Sequence, residues 1–294
     1  MRKSFLMISG AFLFGLAQVV AQAATPKYDA LYVFGDSYCD VGNIFAATGG
    51  AVPAAPYYNG RFSDGPIWLD HVAGFLGVPM KAALLGGTNY AFGGAWVTAP
   101  QPIPGGFIPS VPQQVGLYLQ QHGGKADANA LYVLEGGGND ILNTTTGSPD
   151  ALAYQIASGI VASEVALRQA GARHFVIPNL FHVGILPATV ALNNVTFANA
   201  ASEATNKWER KLLANEESLP GVQIIHMDIF SLFNAVETDP THFGFADVTN
   251  PCVTATSLCS DPDHRLFWDD HHPTLFGQTF FAVTFENAIS SQSE

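Results

Sequence analysis

The chain has 294 residues, 48% of them apolar and only 12% charged, with a formal charge of −12. That length can bury a large core, and that hydrophobicity excludes a chain disordered over most of its length. An acidic chain lacks the basic footprint that neutralises phosphates, which argues against nucleic-acid binding and against adhesion to anionic lipid.

Residues 1–23 read as a secretory signal peptide. Arg2 and Lys3 precede an apolar run over 5–20, and Ala21-Gln22-Ala23 offers a small-x-small cleavage pattern. The run is shorter than the ~20 residues that a membrane span needs. The expectation is a secreted or periplasmic protein with no stable membrane span and one mature domain over 24–294.

The next apolar run, 30–34 (ALYVF), predicts a strand ending in Gly35-Asp36-Ser37. A helix is expected over 67–76, where Leu69, Val72, Ala73 and Leu76 share helical spacing. The five prolines of 98–112 mark an excursion from one domain rather than a boundary. A second strand over 131–134 (LYVL) runs into Gly136-Gly137-Gly138-Asn139-Asp140. Ser148-Pro149 then opens a helix as N-cap and first turn, Leu152, Ile156 and Ile160 line one face, and Gly171 supplies the stop.

Strands follow over 174–177, ending at Pro178-Asn179, and over 222–227. Helices are expected over 197–213 and 275–289, with a loop region over 238–264 between them. Short strands that are apolar nearly throughout fit a parallel sheet buried on both faces, and their alternation with helices predicts helical layers around it. Ligands of such sheets sit beyond the carboxyl ends of the strands. The polar clusters at 35–37, 138–140 and 178–179 fall at those ends.

Three cysteines are present: Cys39, Cys252 and Cys259. An oxidising compartment favours a disulfide between Cys252 and Cys259, which are close in sequence. Cys39 is then a small buried side chain. Three cysteines without a CxxC pattern do not make a zinc site, so no metal is expected.

Ser37, after a strand and a glycine, is expected to open a helix with its hydroxyl and N–H facing one space. A serine attacks poorly unless a base takes its proton, and histidine held by a carboxylate suits that task. The stretch Trp268-Asp269-Asp270-His271-His272-Pro273-Thr274 offers both types. Asp269 and His272 alone stand three apart, which brings them to one side of a tight turn. Pro273 suits the first turn of the following helix. Acyl transfer also needs donors for a developing oxyanion. The candidates are the N–H of Ser37, a backbone N–H in Gly93-Gly94, and the amide of Asn139.

Five blocks in order carry a resemblance. Tyr32-Val33-Phe34-Gly35-Asp36-Ser37, continuing through Asp40 and Gly42-Asn43, resembles the first block of the GDSL (SGNH) esterase and lipase family. Asn59-Gly60-Arg61-Phe62-Ser63-Asp64-Gly65 resembles a segment of its longer members, and Asn89-Tyr90-Ala91-Phe92-Gly93-Gly94-Ala95 its second block. Gly137-Gly138-Asn139-Asp140 resembles the third and 268–274 the last. The blocks run from 31 to 274, nearly all of the mature chain. Tyr38-Cys39 departs from the Ser or Thr usual beside the nucleophile, and there is no Gly-x-Ser-x-Gly elbow.

The resemblance implies a three-layer α/β/α, flavodoxin-like single domain with a mostly parallel sheet. It implies Ser37 as nucleophile, His272 as base and Asp269 as orienting acid. It also implies an oxyanion hole from Ser37, Gly94 and Asn139. No metal or organic cofactor is implied. The expected reaction is hydrolysis of short-chain, choline or lipid esters through an acyl-enzyme. Related readings are a phospholipase or lysophospholipase A, a lipid acyltransferase, and a carbohydrate O-acetylesterase. An acidic exterior favours a cationic leaving group such as choline. A secreted binding protein on the same scaffold is the reading from another class.

Overall fold

The computed structural model describes residues 28–293. The expected signal peptide lies outside the described residues. The strands are β1 (Leu31–Phe34), β2 (Gln101–Ile103), β3 (Gly106–Ile108), β4 (Leu131–Leu134), β5 (His174–Pro178) and β6 (Gln223–Met227). The helices up to the middle of the chain are α1 (Asn43–Ala47), α2 (Trp68–Leu76), α3 (Val111–Gln121), α4 (Gly138–Leu142) and α5 (Pro149–Ala170). They continue with α6 (Pro187–Ala191), α7 (Val195–Glu217), α8 (Ile229–Thr238) and α9 (Leu275–Ser290).

The sheet is parallel, in the order β1-β4-β5-β6. Its register pairs Val33 with Val133, Val133 with Val176 and Val176 with Ile225, and all four are buried. β4 and β5 are buried on both faces at their centres, so apolar residues occupy successive positions there, whereas β6 at the edge alternates, with Ile225 and Met227 buried and His226 exposed. Residues 88–92 run along the free edge of β1. Val33 N–H donates to Thr88 O, Tyr90 N–H to Val33 O and Phe92 N–H to Gly35 O. The chain therefore leaves β1 toward one edge and leaves β4 toward the other. That reversal opens a crevice beyond the carboxyl ends of β1 and β4.

Helix α5 packs with both α3 and α7, and α2 packs with α9. Arg168 of α5 makes a 2.6 Å ion pair with Glu216 of α7. The expected caps form. Ser148 Oγ accepts from Ala151 N–H, and Gly171 takes the positive φ of 125° that ends α5. Phe281, Phe285 and Ile289 give α9 its buried stripe, and Trp68, Leu69 and Val72 do the same for α2.

The proline-rich excursion is a hairpin. β2 and β3 pair antiparallel around Pro104-Gly105, and Gly105 has φ +83°. It returns Ile108 to a small second core with Ile44, Phe92 and Ala95. Three local expectations are corrected. Ser37 lies in a turn, and the next helix, α1, begins at Asn43. Asn139, expected after its three glycines on a flexible strand-end turn, sits in the first turn of α4. Pro273 precedes the cap of α9, which is Thr274, its Oγ1 accepting Gly277 N–H. Among the described residues, no helix is long and apolar enough to cross a membrane.

Candidate active site

The turn after β1 is built around Asp36 and Asp40. Asp36 O accepts the N–H groups of Cys39 and Asp40, and Asp36 Oδ1 accepts that of Tyr38. Neither Ser37 N–H nor Gly94 N–H makes a hydrogen bond among the described residues. Asp40 binds the N–H groups of Gly42, Asn43 and Ile44, and its Oδ2 reaches Gly93 N–H at 2.8 Å. That contact fixes the 93–94 loop against the turn that carries Ser37. Gly94 has φ +81°, where an added Cβ would be strained and would sit 3.1 Å from Ile108 Cδ1.

Asp140 ties the same loop to α4, accepting the N–H groups of Val97 and Thr98. Asn139 is thereby brought beside the turn. Its Nδ2 donates to Asp36 Oδ2 and to Ala95 O, each at 3.1 Å. From the far end of the chain, His272 Nε2 lies 2.7 Å from Ser37 Oγ. His272 Nδ1 lies 2.7 Å from Asp269 Oδ2 and 2.9 Å from Oδ1. Ser37, Asp269 and His272 are each less than a tenth exposed, at 6%, 7% and 8%.

Asp269 is held by more than its histidine. Oδ1 accepts the N–H groups of His271 and His272 at 2.7 Å, which closes the tight turn. Oδ2 accepts the phenol of Tyr57 at 2.6 Å. Burial pushes the Asp269 carboxyl up, but the His272 charge and these hydrogen bonds outweigh it and hold it well below its ordinary range. Asp36 behaves oppositely. Burial pushes it up to about 6, and the hydrogen bonds from Tyr38 and Asn139 and the His272 charge offset only part. Burial, then the neighbouring Asp36 charge, push Glu135 well above its usual value. Burial does the same to the thiol of Cys39, which is free and enclosed.

The segment 57–65 clamps the histidine turn. Ser63 Oγ donates to Pro273 O, Asp64 Oδ1 accepts Leu275 N–H, and the Phe62 ring lies 4.9 Å from that of His272. Tyr38 donates to His271 O at 2.6 Å. Gln114 of α3 grips Gly35 through both its N–H and its carbonyl. Tyr57, Gln114 and Glu135 do not stand out in the sequence, and Tyr38 does so only as a departure from the residue usual beside the nucleophile. Each acts across a distance that no local pattern encodes.

Cys252 and Cys259 form a disulfide, 4.8 Å apart at Cα. The loop they close pairs with the stretch leading into Asp269, since Cys252 N–H donates to Phe267 O and Val253 N–H to Trp268 O. Asp269, Asp270 and His271 place potential ligand atoms within 4.8 Å of one another. The Asp269 oxygens are already saturated by four donors, so the trio is a poor cation site.

Ser37, Gly94, Asn139 and His272 all line one cavity of about 210 Å³, whose remaining wall is mostly apolar. A cavity at the reversal point of a parallel sheet is where ligands of such folds bind. The chain belongs to the GDSL-like lipase/acylhydrolase family, whose model matches residues 31–283, and it is a carboxylic ester hydrolase. A GDSL esterase/lipase of Arabidopsis thaliana is 26% identical over 333 aligned positions, covering 93% of this chain and 92% of that protein. The phosphatidylcholine-sterol acyltransferase of Aeromonas hydrophila is 30% identical over 254 positions, covering 82% of this chain and 70% of that protein. Among solved structures, an alpha/beta hydrolase from the metagenome of Lake Arreo aligns with a TM-score of 0.48 and 14% identity, over 90% of this chain and 96% of the other.

Proposed function

We propose that the chain cleaves esters through an acyl-enzyme on Ser37. His272 Nε2 takes the Ser37 proton as Oγ attacks the ester carbonyl carbon, and Asp269 holds the ring and balances its charge. The N–H groups of Ser37 and Gly94 and the Asn139 amide receive the oxyanion. His272 then hands the proton to the departing alkoxide. Water attacks the acyl-enzyme carbonyl, gives a proton to His272 and releases the acid with Ser37 restored.

The single observation behind this reading is the unbroken chain from Ser37 Oγ to His272 to Asp269, with contacts of 2.7 Å on either side of the imidazole. Two unpaired N–H groups in the same cavity support the oxyanion assignment. The 3.1 Å bonds of the Asn139 amide are long enough for an oxyanion to draw one away. The apolar wall supports an aliphatic acyl group as the bound part of the substrate. The acyltransferase relative makes transfer to an alcohol the second outcome for the same acyl-enzyme.

An organophosphonate probe tests the assignment. The wild type should gain one phosphonyl group on the peptide containing Ser37, and Ser37→Ala should gain none while keeping its melting temperature. Labelling of Ser37→Ala would place the nucleophile elsewhere. We further infer secretion or a periplasmic site, supported by the signal-like residues 1–23 and the Cys252–Cys259 disulfide. Protein recovered outside the cytoplasm with its N-terminus at Ala24 would agree. Protein found only in the cytoplasm, starting at Met1, would refute it.

A further inference from the structure

A second, small cavity of about 20 Å³ lies behind the active-site cavity. The two share Tyr38, Glu135, Leu180 and Phe181 as lining residues. Beyond that shared wall the inner chamber is bounded by Trp68, Pro178, Met227, Ile229 and Phe281. Its polar neighbours are occupied. The Asn179 side chain donates to Asp228 and accepts Phe230 N–H. Glu135, half-buried, faces both cavities, and its Oε2 accepts Asp36 N–H at 3.1 Å. A water needs two to four polar partners, so the chamber suits hydrocarbon better than water.

The two rings of the shared wall are held differently. Tyr38 is tethered at both ends, since its hydroxyl donates to His271 O and its carbonyl accepts the Trp68 indole N–H at 2.9 Å. Phe181 has no polar tether. It stacks on Phe233 with centroids 4.3 Å apart and meets Tyr38 at 5.6 Å. With Leu180 it forms the untethered apolar part of the wall that the two cavities share.

We propose that Phe181 sets the acyl-chain length of this hydrolase, ending the acyl slot along Leu142, Leu180 and Leu186 and closing it off from the inner chamber. The inference rests on the acyl-enzyme reading above. It makes the substrate class an ester of a short or medium aliphatic acid, since the slot is smaller than the 300–1,000 Å³ usual for a drug-sized ligand. Each methylene that the slot holds is worth about fourfold in kcat/KM, and the gain stops where the ring begins.

A p-nitrophenyl ester series from acetyl to dodecanoyl tests this. The wild type should show a rise and then a break. Phe181→Ala should move the break outward by two or more methylenes. The ratio of kcat/KM two methylenes past the wild-type optimum to that at the optimum should then rise about fifteenfold. Adding Ile229→Phe to Phe181→Ala refills the chamber and should bring the break back. Phe181→Leu serves if the alanine variant does not fold, as read by its melting temperature and by labelling of Ser37 with a small phosphonate. A folded, labelled Phe181 variant with the wild-type profile would overturn the proposal. A wild type that neither labels nor hydrolyses any ester would instead defeat the acyl-enzyme reading.

Discussion

The phenol of Tyr57 donates to Asp269 Oδ2 at 2.6 Å, across 212 residues of sequence, onto an oxygen that also faces His272 Nδ1. The contact anchors the 57–65 segment to the carboxylate that orients the histidine. A hydrogen bond to a buried charged group is worth roughly 1.5–3 kcal/mol. Tyr57→Phe should therefore lower stability by about that amount at pH 7. The Asp269 pKa is depressed in the folded protein, so its stabilising contribution is present above the unfolded value and is lost as pH falls through the folded one. The Tyr57→Phe deficit should persist from neutral pH to below the ordinary carboxylate range. Denaturant titrations across that range check it, and a deficit that disappears by pH 5 would refute it.

Asn139 is held by Asp36 Oδ2, and that contact bears on its proposed oxyanion role. Asn139→Ala should reduce kcat by roughly 10²–10³ with KM little changed. Asp36→Asn keeps the shape but weakens the acceptor that aims the amide, so a smaller loss in kcat is expected. Steady-state kinetics on one soluble ester decide both. An unchanged kcat in Asn139→Ala would remove the amide from the oxyanion hole.

Burial pushes the Glu209 carboxyl of α7 up to about 8, and Arg210 offsets only part. Its folded pKa lies above its unfolded one, so the stability linked to its protonation is full below about pH 4.3 and is lost as pH rises through 8. The cost at higher pH is on the order of 5 kcal/mol. Glu209→Gln removes that titration. Its melting temperature relative to wild type should climb between pH 5 and pH 9. A constant difference would show that Glu209 does not titrate in that window.

The Cys252–Cys259 loop braces the strand-like stretch before Asp269 through two backbone hydrogen bonds. Closing so short a loop is worth about 2.5 kcal/mol in the chain-entropy model. The double substitution Cys252→Ser/Cys259→Ser should lower stability by about that much and lower kcat more than it raises KM. A lower melting temperature with unchanged kcat would make the disulfide a purely global brace.

Much of the architecture was legible in short-range pattern. The four core strands, the Ser148-Pro149 start and Gly171 stop of α5, and the Cys252–Cys259 pairing are set by adjacent residues. Helix α3 is masked in the sequence by Pro112, by the prolines that precede it and by Gly116. Yet Ser110 and Gln113 form a capping box, with Ser110 N–H donating to Gln113 Oε1 at 3.1 Å. Helix α8 carries a legible stripe of Ile229, Phe233 and Val236 at i, i+4 and i+7, with Asp228 as its cap, but it is only ten residues long and follows β6 directly.

The sequence by itself determined which strand ends carry polar groups and which aspartate and histidine share a tight turn, because a turn is closed by atoms a few bonds apart. Only the tertiary structure decided the sheet order, the turn conformation at Ser37, and the reach of Tyr57 to Asp269. It alone placed the Phe181 ring between two cavities. Such contacts depend on how buried layers fill space together. Their partners lie scores to hundreds of residues apart, where side-chain spacing along the chain holds no information about distance.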